Sequence, residues 1–67
     1  MSNKNLHNNL RVCRNRANLK QKEVANALGF KSEDRISRWE NGTAYPNIFN
    51  LLKLAKVYGV TVEELYS

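Results

Sequence analysis

The chain has one cysteine in 67 residues, so it can form no internal disulfide and offers no thiol cluster for a metal. A reducing compartment fits that usage. One proline and three glycines are too few for a flexible linker or a low-complexity segment. The single histidine, His7, has no partner types around it for metal binding or catalysis. No apolar run approaches the roughly 18 residues of a membrane span, and the first residues are polar, without a signal segment. The expectation is a soluble, cytoplasmic protein. No nucleophile–base pair, glycine-rich phosphate cradle or carboxylate cluster is present. A chain this short has no room for a deep pocket, so no enzyme, no metal, no cofactor and no small-molecule ligand are expected.

Acidic residues are missing from the first third. Residues 1–22 hold Lys4, Arg11, Arg14, Arg16, Lys20 and Lys22 and no acid, whereas six acids and five bases follow. The net charge of +5 is therefore concentrated near the N-terminus. Such a field suits a polyanion, because phosphate contacts supply most sequence-independent affinity for DNA. A merely solvated basic face is the competing reading of charge alone.

The rest is amphipathic, with 42% hydrophobic residues and no strand pattern. A domain of this size buries only about 60% of its unfolded surface, so short, tightly connected helices are required. The periodicity predicts one all-α domain over residues 1–67 with five helices. Helix 1 covers about residues 5–16, with Leu6, Leu10, Cys13 and Ala17 on one stripe. Helix 2 covers about 21–28 and helix 3 about 33–40, the pair forming a helix-turn-helix over about 21–41. Gly29 breaks the first of the two, Ser32 is the expected N-cap of the second, and Gly42 its C-terminal stop. Helix 4 runs from an Asn47 N-cap to Tyr58, with Ile48, Leu51, Leu52, Ala55 and Tyr58 as its stripe. Thr61-Val62-Glu63-Glu64 is a capping box that opens a short helix 5 ending at Tyr66.

With Ile36 of helix 3 taken as pointing inward, Asp34 lies at about 160°, Arg38 at about 200° and Arg35 near 260°. Ser37 falls near 100° and Asn41 near 140°, so the outward face is made wholly of hydrogen-bonding groups. Arginine can grip guanine O6 and N7, and a carboxylate can accept from cytosine N4. This face is close to neutral, which suits base edges better than phosphates. A solvated helix with an Asp34–Arg38 pair is the bland alternative. Glu33 also sits where the helix dipole favours a negative charge, so a base contact from it stays open beside that reading. Two charges fall on inward faces, Arg14 on helix 1 and Glu40 on helix 3. Either would be costly to bury alone, and a bridge between them is the economical arrangement.

The runs Leu19-Lys20-Gln21-Lys22-Glu23-Val24-Ala25, Ala27-Leu28-Gly29-Phe30 and Ile36-Ser37-Arg38-Trp39-Glu40-Asn41-Gly42 resemble the lambda-repressor and Cro-like (Xre-type) helix-turn-helix family. The likeness continues through Pro46, residues 51–55 and residues 59–65, covering nearly the whole chain. It implies a compact five-helix bacterial or phage DNA-binding domain, usually a transcriptional regulator on a pseudo-palindromic operator. Under that resemblance Glu33, Asp34, Arg35 and Arg38 occupy base-reading positions. Gln21 occupies the position of a phosphate-gripping glutamine, and Asn41 and Thr43 the loop that rests on the backbone. Lys22, Ser32 and Ser37 complete the candidate phosphate contacts. Arg14 and Glu40 match a bridge that many members possess. Three positions depart from the pattern. Lys20 replaces the usual hydroxyl cap, the turn 29–32 is one residue longer than the commonest form, and Phe49 stands where a polar residue is usual. Phe49 is expected in or partly in the core, with an interface as the alternative.

A domain this small covers few base pairs, so two half-sites and a homodimer are expected, with double-stranded DNA as the partner. Tyr58, Val60, Val62, Leu65 and Tyr66 offer more apolar surface than a short last helix can bury and are the candidate dimer interface. Cys13 on the apolar stripe reads as a small buried hydrophobe, and Trp39 as a packing anchor. Two other roles share this architecture. One is the antitoxin of a toxin–antitoxin pair, and the other is the controller of a restriction–modification system.

Overall fold

Asn8 sets the start of the first helix. Its Oδ1 accepts the Leu10 N–H at 3.0 Å, and its Nδ2 donates to the Trp39 carbonyl at 3.1 Å. The side chain thus caps one helix and holds the end of another. The structure, a computed structural model, describes residues 8–66. Within them α1 is Leu10–Arg16, shorter than the expected 5–16 because Asn8 and Asn9 are not helical. Leu6 and His7 lie outside the described residues. The remaining helices are α2 Gln21–Leu28, α3 Asp34–Asn41, α4 Ile48–Tyr58 and α5 Val62–Tyr66, with no strand among the described residues.

Three helices end in the same way, because glycine is followed by a residue that can close the turn. In α2 the Gly29 N–H donates to Asn26 O and the Phe30 N–H to Ala25 O. Gly42 with Thr43 and Gly59 with Val60 repeat that pair of bonds. This is the Schellman stop, and it needs a left-handed residue; Gly29 has φ 84° and Gly42 φ 78°. A non-glycine residue makes the turn between α1 and α2, where Asn18 has φ 61°, a conformation that asparagine tolerates better than most.

N-terminal ends vary more. Asn47 caps α4 by accepting the Asn50 N–H at 2.9 Å. Glu64 accepts from Thr61 N–H while Thr61 Oγ1 accepts from Glu64 N–H, so the expected capping box opens α5. Lys20 has no acceptor and makes only half a box, its N–H donating to Glu23 Oε1 at 2.8 Å. Glu33, not Ser32, is the N-cap of α3. The turn extends one residue further than expected, and Ser32 Oγ reaches the Asp34 N–H only at 3.4 Å.

The core gathers Leu10 and Cys13 of α1, Val24, Ala25 and Leu28 of α2, Ile36 and Trp39 of α3, Leu54, Ala55 and Tyr58 of α4, and Leu65 of α5. Leu51, half-buried, packs against it. The inward face of α4 is therefore 51, 54, 55 and 58, an i, i+3, i+4, i+7 set. Ile48 and Leu52, expected inside, are exposed, and so is Phe49 at 72%. Leu52 and Phe49 lie roughly 160° and 140° around the helix from Leu54, on the far side from the core.

Candidate nucleic-acid interface

Glu40 is the fixed point of the candidate site. It lies on the last turn of α3 with its side chain 1% exposed, a position no carboxylate holds without partners. Arg14 supplies Nε at 2.6 Å and Nη2 at 3.2 Å, and its third donor, Nη1, goes to the Leu19 carbonyl at 2.9 Å. Gln21 adds Nε2 at 2.9 Å from the first turn of α2, and Arg11 adds Nε at 3.4 Å. Burial pushes the Glu40 carboxyl up, but the hydrogen bonds from Arg14 and Gln21, with the Arg14 charge and the Arg11 bond, outweigh it and hold the group below the usual carboxylate range. The Glu40 hydrogen bond correspondingly raises Arg14. The Arg14–Glu40 bridge is present, and it is wider than a pair. One carboxylate ties α1, the start of α2 and the end of α3 together.

With Glu40 turned inward, the opposite side of α3 is free. Asp34, Arg35 and Arg38 are exposed there, with Glu33 at the N-cap; Ser37 is half-buried at the edge. Arg35 is the most restrained of them. Its guanidinium carbon sits 4.7 Å from the centre of the Phe30 ring, and Phe30 in turn meets Trp39 edge-on at 5.9 Å. Stacking uses the face of the guanidinium and leaves its N–H edge to donate elsewhere. The long turn thus contributes a platform for a residue of α3. That role of Phe30 was not anticipated, since a half-buried aromatic after a glycine reads first as a helix stop.

The candidate phosphate contacts flank this face. Lys22, Ser32, Asn41 and Thr43 are exposed and Gln21 is half-buried. The amide nitrogen of Gln21 has two protons, one given to Glu40 and the other pointing elsewhere. Beside it, the first N–H groups of α2 have no intrahelical acceptor. Asn41 Oδ1 accepts from Arg11 Nη2 at 3.2 Å, which turns its own amide N–H groups away from Arg11. Thr43 donates its hydroxyl to the Arg38 carbonyl at 3.2 Å, which leaves the oxygen able to accept but not to donate again. Arg11 is the residue that sequence reasoning passed over. Arg14 already balances Glu40, so Arg11, 58% exposed, is a surplus cation set beside Asn41. Its place three residues before Arg14, on the same side of α1, was the available signal.

The proposed dimer residues separate. Tyr58 and Leu65, expected at the interface, are instead core side chains; α5 packs so closely that Leu65 is 0% exposed. Val60, Val62 and Tyr66 are half-buried. Tyr66 lines a shallow apolar surface with Tyr45, Pro46 and Leu51, whereas Val60 lines a different groove beside α4. Among the described residues no helix is long and apolar enough to cross a membrane, and no cluster of three His, Cys, Asp or Glu side chains could hold a metal.

A family model described as helix-turn-helix matches residues 10–65. The chain is similar to the HTH-type transcriptional activator BcrR of Enterococcus faecalis, 40% identical over 58 residues that make 87% of this chain and 28% of that protein. It is equally similar to the cryptic phage CTXphi transcriptional repressor RstR of Vibrio cholerae, 40% identical over 58 residues, 87% of this chain and 51% of the repressor. It therefore spans between about a quarter and half of the length of these relatives. A crystal structure of a Bacteroides fragilis protein described as DNA-binding superimposes with a TM-score of 0.79 at 28% identity, covering 87% of this chain and 92% of that one.

Proposed function

The chain belongs to the helix-turn-helix family, and from that premise we propose that it is a transcriptional regulator, a repressor, that binds a specific double-stranded DNA sequence with α3 in the major groove. As a member of that family it is a binding domain and not an enzyme. The observation that carries the reading is the polarity of α3. Ile36, Trp39 and Glu40 hold the helix to the domain, and the opposite face presents Asp34, Arg35 and Arg38 to solvent. Those side chains match what base edges offer, Arg35 and Arg38 for guanine and Asp34 for cytosine. Glu33 at the N-cap is the fourth candidate reader.

Phosphates are held on both sides of α3. Gln21, Lys22 and the open N–H groups of α2 grip one stretch of backbone. Asn41, Thr43 and Arg11 grip the other, with Ser32 and Ser37 at the edges of the helix. Thr43 contributes through its position and its neighbours more than through its hydroxyl, whose proton is already given away. Arg14 and Glu40 touch no DNA and act as positioning residues for the angle of α3 and for Gln21. Such a regulator works in the cytoplasm, at the nucleoid.

A single domain of this size reads only a few base pairs, so two copies on a pseudo-palindromic operator give useful specificity. Val62 and Tyr66, with the neighbouring Tyr45 and Pro46, are the surface proposed for pairing. RstR, one of the two relatives, is named a repressor, the sign of regulation proposed for this chain. Selection of bound sequences from random duplex DNA tests the proposal. The expected product is an inverted repeat with half-site centres one helical turn apart. Recovery of unrelated sequences in proportion to their input would reject specific recognition.

A further inference from the structure

The outer face of α4 is used neither by the core nor by the proposed interface. Phe49, 72% exposed, and Leu52, 49% exposed, stand side by side at i and i+3, on the side of the helix away from Leu54. Lys53 and Lys56 flank them, and Ala55 with Val60 closes a groove of about 470 Å³. None of the lining residues is acidic. Exposing a phenylalanine and a leucine together stabilises nothing within this domain.

We infer that this groove docks an acidic amphipathic helix of a partner protein, with its apolar stripe on Phe49, Leu52 and Val60 and its carboxylates on Lys53 and Lys56. Charge decides between occupants. A second copy of this chain brings the same patch to the twofold axis and sets the two lysine pairs against each other. The six lining residues are also far fewer than the roughly 20–30 per side of a stable dimer, but they suffice for one helix laid in a groove. A lipid surface calls for a protruding apolar ridge, and these side chains border a concavity. Neither duplex DNA nor any other polyanion without apolar groups accounts for Phe49 and Leu52. An acidic helix satisfies the apolar centre and the basic rim together.

The test uses the whole chain and a fluorescein-labelled peptide of about 18 residues, long enough to hold a helix, with Leu and Phe at i, i+3 and i+7 and Glu on both sides of the stripe. A peptide with every Glu changed to Lys is the control, and fluorescence anisotropy is the readout. The acidic peptide is expected to bind in the micromolar range and the basic one to fail. Phe49→Asp is expected to weaken binding at least about tenfold, as loss of an anchor does. The pair Lys53→Glu and Lys56→Glu is expected to exchange the preference, so that the basic peptide binds. Because all three positions are exposed, thermal melts should match the wild type, and Phe49→Asp should leave the base preference of operator binding unchanged, which keeps any loss at the groove. Absence of binding, or equal binding of both peptides, would overturn the inference. So would self-association of the chain, or adhesion to phosphatidylglycerol vesicles, that Phe49→Asp abolishes while the acidic peptide fails to bind.

Discussion

Glu40→Gln is the perturbation that the buried network makes most informative. The substitution keeps the shape and removes the charge, so Arg14, whose side chain is 12% exposed, loses its counter-ion in place. The new amide also puts an –NH₂ where either Arg14 or Gln21 now donates, and two donors face each other. Breaking a buried pair from one side costs about 3–5 kcal/mol. Arg14 keeps its bond to Leu19 and some contact with water, which lowers the expectation to about 2–4 kcal/mol. A domain of this length holds about 3–10 kcal/mol in all, so the variant approaches the edge of folding. Its midpoint should fall by roughly 8–30 °C, at about 4–8 °C per kcal/mol. Urea denaturation followed by Trp39 fluorescence and circular dichroism measures the change. The partner test is a cycle with Arg14→Met. Removing both charges leaves an apolar side chain against a neutral amide and no unpaired ion, so the double variant should lie within about 1 kcal/mol of the better single one, with a coupling of about 1–3 kcal/mol. A loss below about 0.5 kcal/mol for Glu40→Gln, or strict additivity in the cycle, would refute the reasoning, because exposed pairs behave in that way.

The same network sets a pH dependence. The folded-state carboxyl of Glu40, facing Arg11 and Arg14 with Tyr58 nearby, is held below its ordinary value of 4.5, so its contribution is present above that value and is lost as pH falls through the lower folded-state one. Thermal midpoints scanned downward from neutral pH should drop more steeply in the wild type than in Glu40→Gln, and parallel curves would contradict this. Burial raises the Cys13 thiol above its usual range, so a maleimide should label it slowly in native protein and fast in denaturant; rapid native labelling would place it at the surface. Arg11→Ala should weaken binding to all DNA sequences alike and reduce the slope of log K against log salt by about one, with little change in stability because the side chain is exposed. A sequence-dependent loss would move Arg11 into the base-reading set.

Legibility followed the kind of information each element needed. Residues 21–28 form α2 with the expected bounds, since an apolar stripe closed by glycine states both period and end. Arg14 and Glu40 were legible as a pair because each charge was visibly misplaced on an apolar face. The turn into α3 is less legible, since Ser32 reads as the cap while the helix starts one residue later, with Glu33 at the N-cap. In α4, seven of the eleven residues (Ile48, Phe49, Leu51, Leu52, Leu54, Ala55 and Val57) are apolar, and periodicity alone offers two competing faces. Leu54 wins because it meets the other helices, and Leu52 and Phe49 are left outside. A five-residue helix reads as burying little, which points Tyr58 and Leu65 toward a partner, but α5 is held by Asn9 N–H to the Leu65 carbonyl at 2.9 Å and sinks its leucine fully. The bonds of Asn8 to Trp39 and of Gln21 to Glu40 are not legible in the sequence, for a common reason. Each spends its amide on an atom distant in sequence, and no local pattern records such a bond.

Base reading by α3 is the central claim, and Arg38→Ala on a single-substitution panel of the selected operator tests it most directly. The account predicts that the variant loses discrimination at one or two base pairs, about 1–3 kcal/mol each, while its preference elsewhere in the half-site stays as in the wild type. An equal loss of affinity for every duplex in the panel, with the ranking of bases unchanged, would show that Arg38 holds phosphate and would contradict it.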